Sequence, residues 1–210
     1  MALITPHELR LYLVLDPNLC GGLEGMIETT RVAVQNGVTL VQLRAPEWKK
    51  RQWMEAARRL KALLAPTGVK LIINDQVDVA LAIDADGVHV GQSDMPPQDV
   101  RRLLGPEKII GLSISSPEEC RPEDLACVDY LGIGPIWPTS SKPDAAPALG
   151  LDGLRAVENQ TKMPNVAIGG IKSHNIQACL EHGADGIAII SAICGQKDVA
   201  QATKTLLSYL

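Results

Sequence analysis

The chain is short of aromatic residues, of positive charge and of paired cysteines, and each shortage removes a class of protein. Only 3% of its 210 residues are aromatic and none is phenylalanine. A core must therefore be assembled from Val, Ile, Leu and Ala, the composition of buried parallel sheets. A formal net charge of −4 leaves no basic footprint for DNA or RNA, so nucleic acid is not an expected partner. The same charge repels an anionic substrate on average, and any phosphate site has to be made locally. The five cysteines (Cys20, Cys120, Cys127, Cys179, Cys194) include no C-x-x-C pair and suggest neither a disulfide framework nor a zinc site. They read as reduced core thiols. The start, MALITPHELRLYLVLD, lacks a basic segment followed by an apolar one, and no apolar run reaches ~18 residues. A cytoplasmic protein with no membrane partner is expected. Finally, no G-x-G-x-x-G turn follows the first strand-like run, which argues against a doubly wound open sheet.

What is present is a regular alternation of short Val/Ile/Leu runs with helical patterns. The runs Leu11–Asp16, Val38–Arg44, Lys70–Asp75, Gly87–Gly91, Lys108–Ile114, Tyr130–Ile136, Asn165–Ile171 and Gly186–Ala192 read as strands. Helices are predicted between them at Leu23–Gln35, ending at Asn36-Gly37, then Glu47–Leu64, Val77–Ile83, Pro97–Leu104, Leu151–Asn159 and finally Val199–Leu210. Ser116 is expected to cap a short helix with Glu119 closing a capping box, and Ser173 to cap a helix that stops before Gly183. Eight strands alternating with helices predict an α/β fold, a (β/α)8 TIM barrel, as a single compact domain over 1–210.

In such a barrel, catalytic groups come from the C-terminal strand ends and the loops that follow them. The conspicuous polar residues fall at those places: Gln42 and Arg44, Asn74 and Asp75, His89, Gln92 and Asp94, then Ser113. After the sixth strand come Thr139, Ser141 and Lys142, followed by Gly169 and Gly170 on the seventh and Ser191 with Ala192 closing the eighth. The stretch GIGPIWPTSSK (Gly132–Lys142) joins an apolar strand to a proline corner and a hydroxyl-rich, lysine-tipped loop. That is the chemistry of a phosphate loop as well as of an ordinary surface loop. Asp75 and Asp94 end adjacent strands, and two readings are open. They are helix caps or turn residues, or they hold Mg²⁺ against a substrate diphosphate whose charge Arg44 and Lys142 complete. His89 alternates with Val88 and Val90 and is either a satisfied structural residue or a ligand contact. The Gly169-Gly170 pair allows a tight turn or the close approach of backbone to a phosphate. Arg58, Arg59 and Lys61 form a basic helix face read as solvated.

Five co-linear motifs then carry a resemblance: IINDxxDVAL (Ile72–Leu81), ADGVHVGQSD (Ala85–Asp94), GxGPIWPTSSK (Gly132–Lys142), VAIGGI (Val166–Ile171) and IISAI (Ile189–Ile193). Together they resemble the thiamine-phosphate synthase family from the first strand to the last. In that family a hydroxymethylpyrimidine diphosphate ionises by losing pyrophosphate, and the nitrogen of a hydroxyethylthiazole phosphate captures the cation. The resemblance implies Asp75 and Asp94 as Mg²⁺ ligands and Arg44, Asn74, Ser113 and Lys142 around the diphosphate. Arg44, Ser113 and Lys142 are the implied catalytic set. It further implies Gln42, His89 and Gln92 near the pyrimidine, with Thr139, Ser141, Gly169, Gly170, Ser191 and Ala192 holding the thiazole phosphate. The expected partners are these two small molecules, with a homo-oligomer left open.

Two departures from the family pattern stand out. The family's lysine two positions after the arginine is Pro46 here, and its Thr-x-Thr-Lys reads Thr-Ser-Ser-Lys. Lys49 or Lys50, on the first turn of the next helix, is the nearest cation that could compensate. Two other readings remain: the related thiazole tautomerase, and a barrel that binds thiamine phosphate without catalysis.

Overall fold

A computed structural model of the chain describes residues 3–139, 141 and 146–210. The chain runs α1 (Pro6–Leu9), β1 (Leu11–Leu15), α2 (Pro17–Cys20), α3 (Leu23–Gln35), β2 (Leu40–Leu43), α4 (Lys50–Leu64), β3 (Lys70–Asn74), α5 (Val77–Ile83) and β4 (Gly87–Val90). It continues through α6 (Pro97–Leu104), β5 (Ile109–Ile114), α7 (Pro122–Leu125), β6 (Tyr130–Ile133), α8 (Gly150–Gln160), β7 (Asn165–Ile168), α9 (Ile176–Glu181), β8 (Gly186–Ile189) and α10 (Val199–Leu207). All eight strands are parallel and β8 pairs back onto β1, closing the (β/α)8 barrel. Among the described residues no helix is long and apolar enough to cross a membrane.

The period-2 alternation of each strand divides its residues between two cores. Leu11, Leu13 and Leu15 of β1, with Val41 and Leu43 of β2, join the layer that α4 covers with Trp53, Ala56, Ala57 and Leu60. Tyr12, Val14, Leu40, Ile72, Ile109, Tyr130, Val166 and Ala188 form a separate cluster inside the barrel. That inner cluster takes in Ile4 and Leu9 as well, because the segment before β1 folds across the N-terminal end of the barrel. A Cβ at Gly186, the first residue of β8, would lie 2.1 Å from the Leu9 carbonyl oxygen, so only glycine lets α1 press there. Lys70, at the start of β3, locks the segment by an ion pair with Glu8 at 2.8 Å and a hydrogen bond to the Leu3 carbonyl at 2.7 Å. Burying Ile4 and Leu9 contributes about 1.5–3 kcal/mol each. The floor is sealed, and the site has to lie at the other end.

Local details differ from the sequence expectations in ways that matter for that end. Each strand stops one to three residues short of the predicted C-terminal boundary wherever a site residue follows: β2 at Leu43, β3 at Asn74, β6 at Ile133, β7 at Ile168 and β8 at Ile189. Arg44, Asp75 and Ser191 therefore stand on the loops. The predicted capping box at Ser116 does not form, since the Ser116 side chain makes no capping bond to the short turn Pro117–Glu119. Glu119 instead accepts a hydrogen bond from the Ser115 amide at 2.6 Å, which spends the carboxylate on the strand end. Ser173 is no helix cap either; it opens the turn Ser173–Asn175, and Asn175 accepts from the Lys172 amide at 2.8 Å before α9 begins at Ile176. Two residues of the basic face of α4 bind neighbours, while Arg58 is exposed. Arg59 pairs with Glu24 of α3 at 2.5 Å, and Lys61 donates to the carbonyls of Ile83 and Asp84.

Candidate active site

A cavity of about 260 Å³ opens at the C-terminal end of the barrel. Its wall draws on every strand: Tyr12 and Val14 from β1, Gln42 and Arg44 from β2, Asn74 from β3, His89 from β4 and Ser113 from β5. The loops then supply Thr139 and Ser141 after β6, Gly169 and Gly170 after β7, and Ser191 and Ala192 after β8. The structure thus brings together most of the residues that sequence reasoning singled out. Lys142 lies outside the described residues.

The deep wall is a chain of buried polar groups. Gln42 Nε2 donates to the Tyr12 hydroxyl at 2.6 Å, which meets the Tyr130 hydroxyl at 2.8 Å. Tyr130 Oη lies 2.9 Å from His89 Nδ1, and His89 Nε2 lies 2.9 Å from Ser113 Oγ. Gln42, His89 and both tyrosines are buried, so each hydrogen bond offsets a desolvation cost that an unpaired group would carry in full. Burial pushes both phenols well above their ordinary pKa, most strongly at Tyr130. The room for this chain is made by glycine. Gly111 sits between His89 and Tyr130 in the sheet register, and a Cβ there would come within 2.4 Å of His89 Nδ1 and 2.2 Å of Tyr130 Cζ.

The outer wall suits an anion. Arg44 reaches the cavity and has no hydrogen-bond or ion-pair partner among the described residues, an unneutralised fork of donors. Gly169 and Gly170 both hold positive φ, at 94° and 67°, which presents their backbone to the cavity. Side chains there would strike the neighbouring loop, since a Cβ at Gly169 falls 2.5 Å from Pro135 Cβ and one at Gly170 falls 2.7 Å from Trp137 Cβ. The two loops are joined by hydrogen bonds from Ile136 N to Ile168 O at 2.8 Å and from Trp137 N to Gly169 O at 3.1 Å. Among the described residues the amides of Gly170, Ser191 and Ala192 have no protein acceptor, and Ser191 opens a helical turn. Amides left open on one cavity wall in this way are able to bind an anion. Lys172 lines the same cavity. Thr139 Oγ1 accepts from the Ser141 amide at 3.2 Å, folding the loop after β6 toward the same wall.

The carboxylates and Gln92 stand just off the cavity wall. Asp75 follows β3 in the left-handed region at φ 58°, unusual for a non-glycine residue, while its amide donates to the His89 carbonyl at 2.9 Å and its carboxylate accepts from Asn74 Nδ2 at 2.6 Å. Asp94 turns back on its own loop, where Oδ2 accepts from the Gly91 amide at 2.8 Å. Gln92 donates to the Ser113 carbonyl at 2.8 Å and accepts from Arg121 at 3.1 Å, bridging the ends of β4 and β5. Among the described residues no three of His, Cys, Asp and Glu gather as a self-sufficient metal cage. Asp75 directly follows β3 and Asp94 sits on the loop after the neighbouring strand β4, and such a pair of hard carboxylates, with no sulfur ligand beside it among the described residues, would suit Mg²⁺ completed by phosphate oxygens and water.

Comparison with known proteins agrees with this geometry. The thiamine monophosphate synthase family matches the chain over residues 11–193. The chain belongs to the thiamine-phosphate synthase family. It is 52% identical over 203 residues to the thiamine-phosphate synthase of Laribacter hongkongensis, covering 95% of this chain and 94% of that one. Identity to the thiamine-phosphate synthase of Xanthobacter autotrophicus is 50% over 201 residues, covering 96% and 95% of the two chains. Among solved structures, the thiamine phosphate pyrophosphorylase from Pyrococcus furiosus aligns with a TM-score of 0.87 at 38% identity, covering 97% of this chain and 96% of that one. As a thiamine-phosphate synthase family member the chain is an enzyme of the transferase class.

Some residues of this thiamine-phosphate synthase family site escaped sequence reasoning. Tyr12 and Tyr130 look like ordinary members of apolar strands, and the only hint was that a chain with three tyrosines places two of them at inward positions. Lys172 follows the Gly169-Gly170-Ile171 corner, and its proximity to a strand end was the usable signal. Ser115, also on the wall, is the first residue after β5, two past Ser113.

Proposed function

We propose that the chain condenses 4-amino-2-methyl-5-(diphosphooxymethyl)pyrimidine with 4-methyl-5-(2-phosphooxyethyl)thiazole, giving thiamine phosphate and diphosphate by a dissociative route. The C–O bond to the diphosphate breaks heterolytically, its electron pair leaving with the phosphate oxygen. The thiazole nitrogen lone pair then forms the new C–N bond, and no proton has to be removed for either event. Catalysis in this case is charge neutralisation of the leaving group together with alignment of the second substrate. The observation that carries this reading is Arg44, which among the described residues has no counter-ion, in a wall where the amides of Gly170, Ser191 and Ala192 have no acceptor among those residues.

In this reading Arg44, Asn74 and Ser113, with Lys142, receive the diphosphate. Gln42 and His89 flank the pyrimidine, and Gln92 braces the strand end on which Ser113 sits. Thr139, Ser141 and the amides of Gly169, Gly170, Ser191 and Ala192 hold the thiazole phosphate. Asp75 and Asp94 would hold Mg²⁺, which when bound supplies positive charge to the diphosphate oxygens. An assay with both substrates and titrated Mg²⁺, following thiamine phosphate and diphosphate together, tests the proposal. Equimolar appearance of the two products, abolished by chelation, is expected. Tight binding of thiamine phosphate with no turnover would replace the proposal with a non-catalytic binder.

A further inference from the structure

We propose that Tyr12 and Tyr130 are positioning residues that fix His89 as its Nε2–H tautomer and so turn the Ser113 hydroxyl into a hydrogen-bond donor toward the cavity. The inference deepens the proposed function, since it rests on that reading for the identity of the group that Ser113 meets. Its structural half stands on the protein alone.

The direction follows from counting protons along the chain Gln42, Tyr12, Tyr130, His89 and Ser113. Gln42 Nε2 has only hydrogens to offer, so the Tyr12 oxygen accepts at 2.6 Å. A hydroxyl has one proton, and the acceptor for that of Tyr12 is the Tyr130 oxygen at 2.8 Å. Tyr130 must then donate onward, and its remaining neighbour is His89 Nδ1 at 2.9 Å. That nitrogen accepts, so the ring proton resides on Nε2 and is donated to Ser113 Oγ at 2.9 Å. The Ser113 oxygen is thereby occupied as an acceptor, and its proton is left to point into the cavity that the residue lines. Both phenols are held protonated by burial, so neither link is lost by ionisation at ordinary pH.

A second observation shows that the barrel is shaped around this relay. Gly111 lies beside His89 on one side and Tyr130 on the other, and Gly132 lies beside Ser113. A Cβ at Gly111 would overlap His89 and Tyr130 together, and one at Gly132 would come 2.9 Å from His89 Cε1. Neither ring could reach the other across β5 if that strand carried a side chain at this level.

The test reads the tautomer first and activity second. Long-range ¹⁵N–¹H correlation spectra of the ligand-free wild-type protein report which His89 nitrogen is protonated, assigned by comparison with His89→Asn. An Nε2–H ring with a bare Nδ1 is expected. An Nδ1–H ring or a doubly protonated ring would overturn the proposal, whatever the protein's activity. In Tyr130→Phe the ring remains and both hydroxyl links vanish, so the Nε2–H preference should collapse toward a mixture. Turnover should fall about 10- to 100-fold, with the loss mainly in kcat. The same loss should be seen in Ser113→Ala, and adding Tyr130→Phe to Ser113→Ala should cost less than about a further threefold. Full additivity of the two losses would overturn the relay and leave Tyr130 a packing residue. If Tyr130→Phe does not fold, Tyr12→Phe removes the proton direction without touching His89 and should shift the tautomer the same way. Absence of any condensation with the pyrimidine and thiazole substrates, alongside an intact Nε2–H ring, would strike the proposed function and leave the relay standing.

Discussion

Lys50 is joined to Asp78 at 2.8 Å, an ion pair between the first turns of α4 and α5 that also engages the Gln76 side chain. Lys49 and Lys50 are the two lysines nearest the cation missing at Pro46, and Lys50 already holds a carboxylate partner. In the proposed function this leaves Arg44, with Lys142, as the cation expected to carry most of the diphosphate's charge. Arg44→Ala should lower kcat/KM about 100-fold or more, a loss of about 3 kcal/mol of transition-state stabilisation. Lys50→Ala should stay within about threefold, as expected of an exposed pair worth about 0–1 kcal/mol. Pro46→Lys should lower KM for the diphosphate substrate several-fold. Steady-state kinetics of the three variants decide the matter, and equal losses at Arg44 and Lys50 would refute it.

Asp94 bonds to the Gly91 amide through one carboxylate oxygen, a contact that an asparagine side-chain oxygen can reproduce. Asp94→Asn should accordingly keep the loop while removing a charge. We expect the Mg²⁺ concentration for half-maximal activity to rise about tenfold, with Tm changed by only a few degrees. An unchanged Mg²⁺ response would make Asp94 a loop-capping residue and nothing more.

Lys172 was not among the expected site residues, yet it lines the cavity together with Gly170. Its charge is exposed and screened, so the effect should be modest and salt-dependent. Lys172→Ala is expected to raise KM for the thiazole phosphate about three- to tenfold at low salt, with kcat nearly constant. The difference should shrink at 0.5 M NaCl; a salt-independent loss in kcat would point to a structural role.

Cys20 and Cys194 give the chain a distinctive thiol. Hydrogen bonding from the Cys194 thiol holds the Cys20 pKa down to about 7 against the opposing effect of burial, whereas burial raises Cys120 and Cys179. The single Cys194 proton can serve the Val14 carbonyl at 3.6 Å or the Cys20 sulfur, and ionisation of Cys20 draws it to the sulfur. Because the thiolate is the reactive form, iodoacetamide at pH 7 should modify Cys20 first, its rate rising with pH to a plateau above about 8. Cys194→Ala should move that midpoint upward. Peptide mapping that finds Cys120 labelled ahead of Cys20 would contradict this assignment.

Arg101 ties α6 to the β5 and β6 starts. It donates to the carbonyls of Cys127, Gly105 and Lys108, and pairs with Asp129 at 2.7 Å, which in turn accepts from the Ile110 amide. Arg101→Ala leaves several part-buried acceptors unpaired and should cost about 2–3 kcal/mol, lowering Tm by about 5–10 °C. Arg101→Lys should rescue little, since one ammonium cannot reproduce the fork. Activity per folded molecule should be unchanged in both.

The barrel was legible because its signals are local. Apolar runs, Asn-Gly and Gly punctuation and proline at helix starts each depend on a few adjacent residues, and a closed sheet then sends every strand end to one mouth. Gln42, Arg44, Asn74, His89 and Ser113 could be placed there for that reason alone. What stayed hidden is non-local. Tyr12 and Tyr130 meet across 118 positions of sequence, and no pattern near either announces the other. Helix α1 has four residues and no period to read, yet it seals the barrel. The partners of Glu119 and Lys50 were likewise set by packing, which turned a predicted cap to another use and gave Lys50 the Asp78 carboxylate.

The sealed floor leaves the C-terminal end as the way into the cavity. In the proposed reading, a pyrimidine resting against Gln42 and His89 would leave only past whatever occupies the loops above it. If the two proposed reactants use that doorway, they would queue, the deeper one admitted first and the joined product departing after the fragment nearer the rim. Under the proposed function, ordered rather than random kinetics would then follow from a floor that Pro6–Leu9 helps to close at the far end from the cavity.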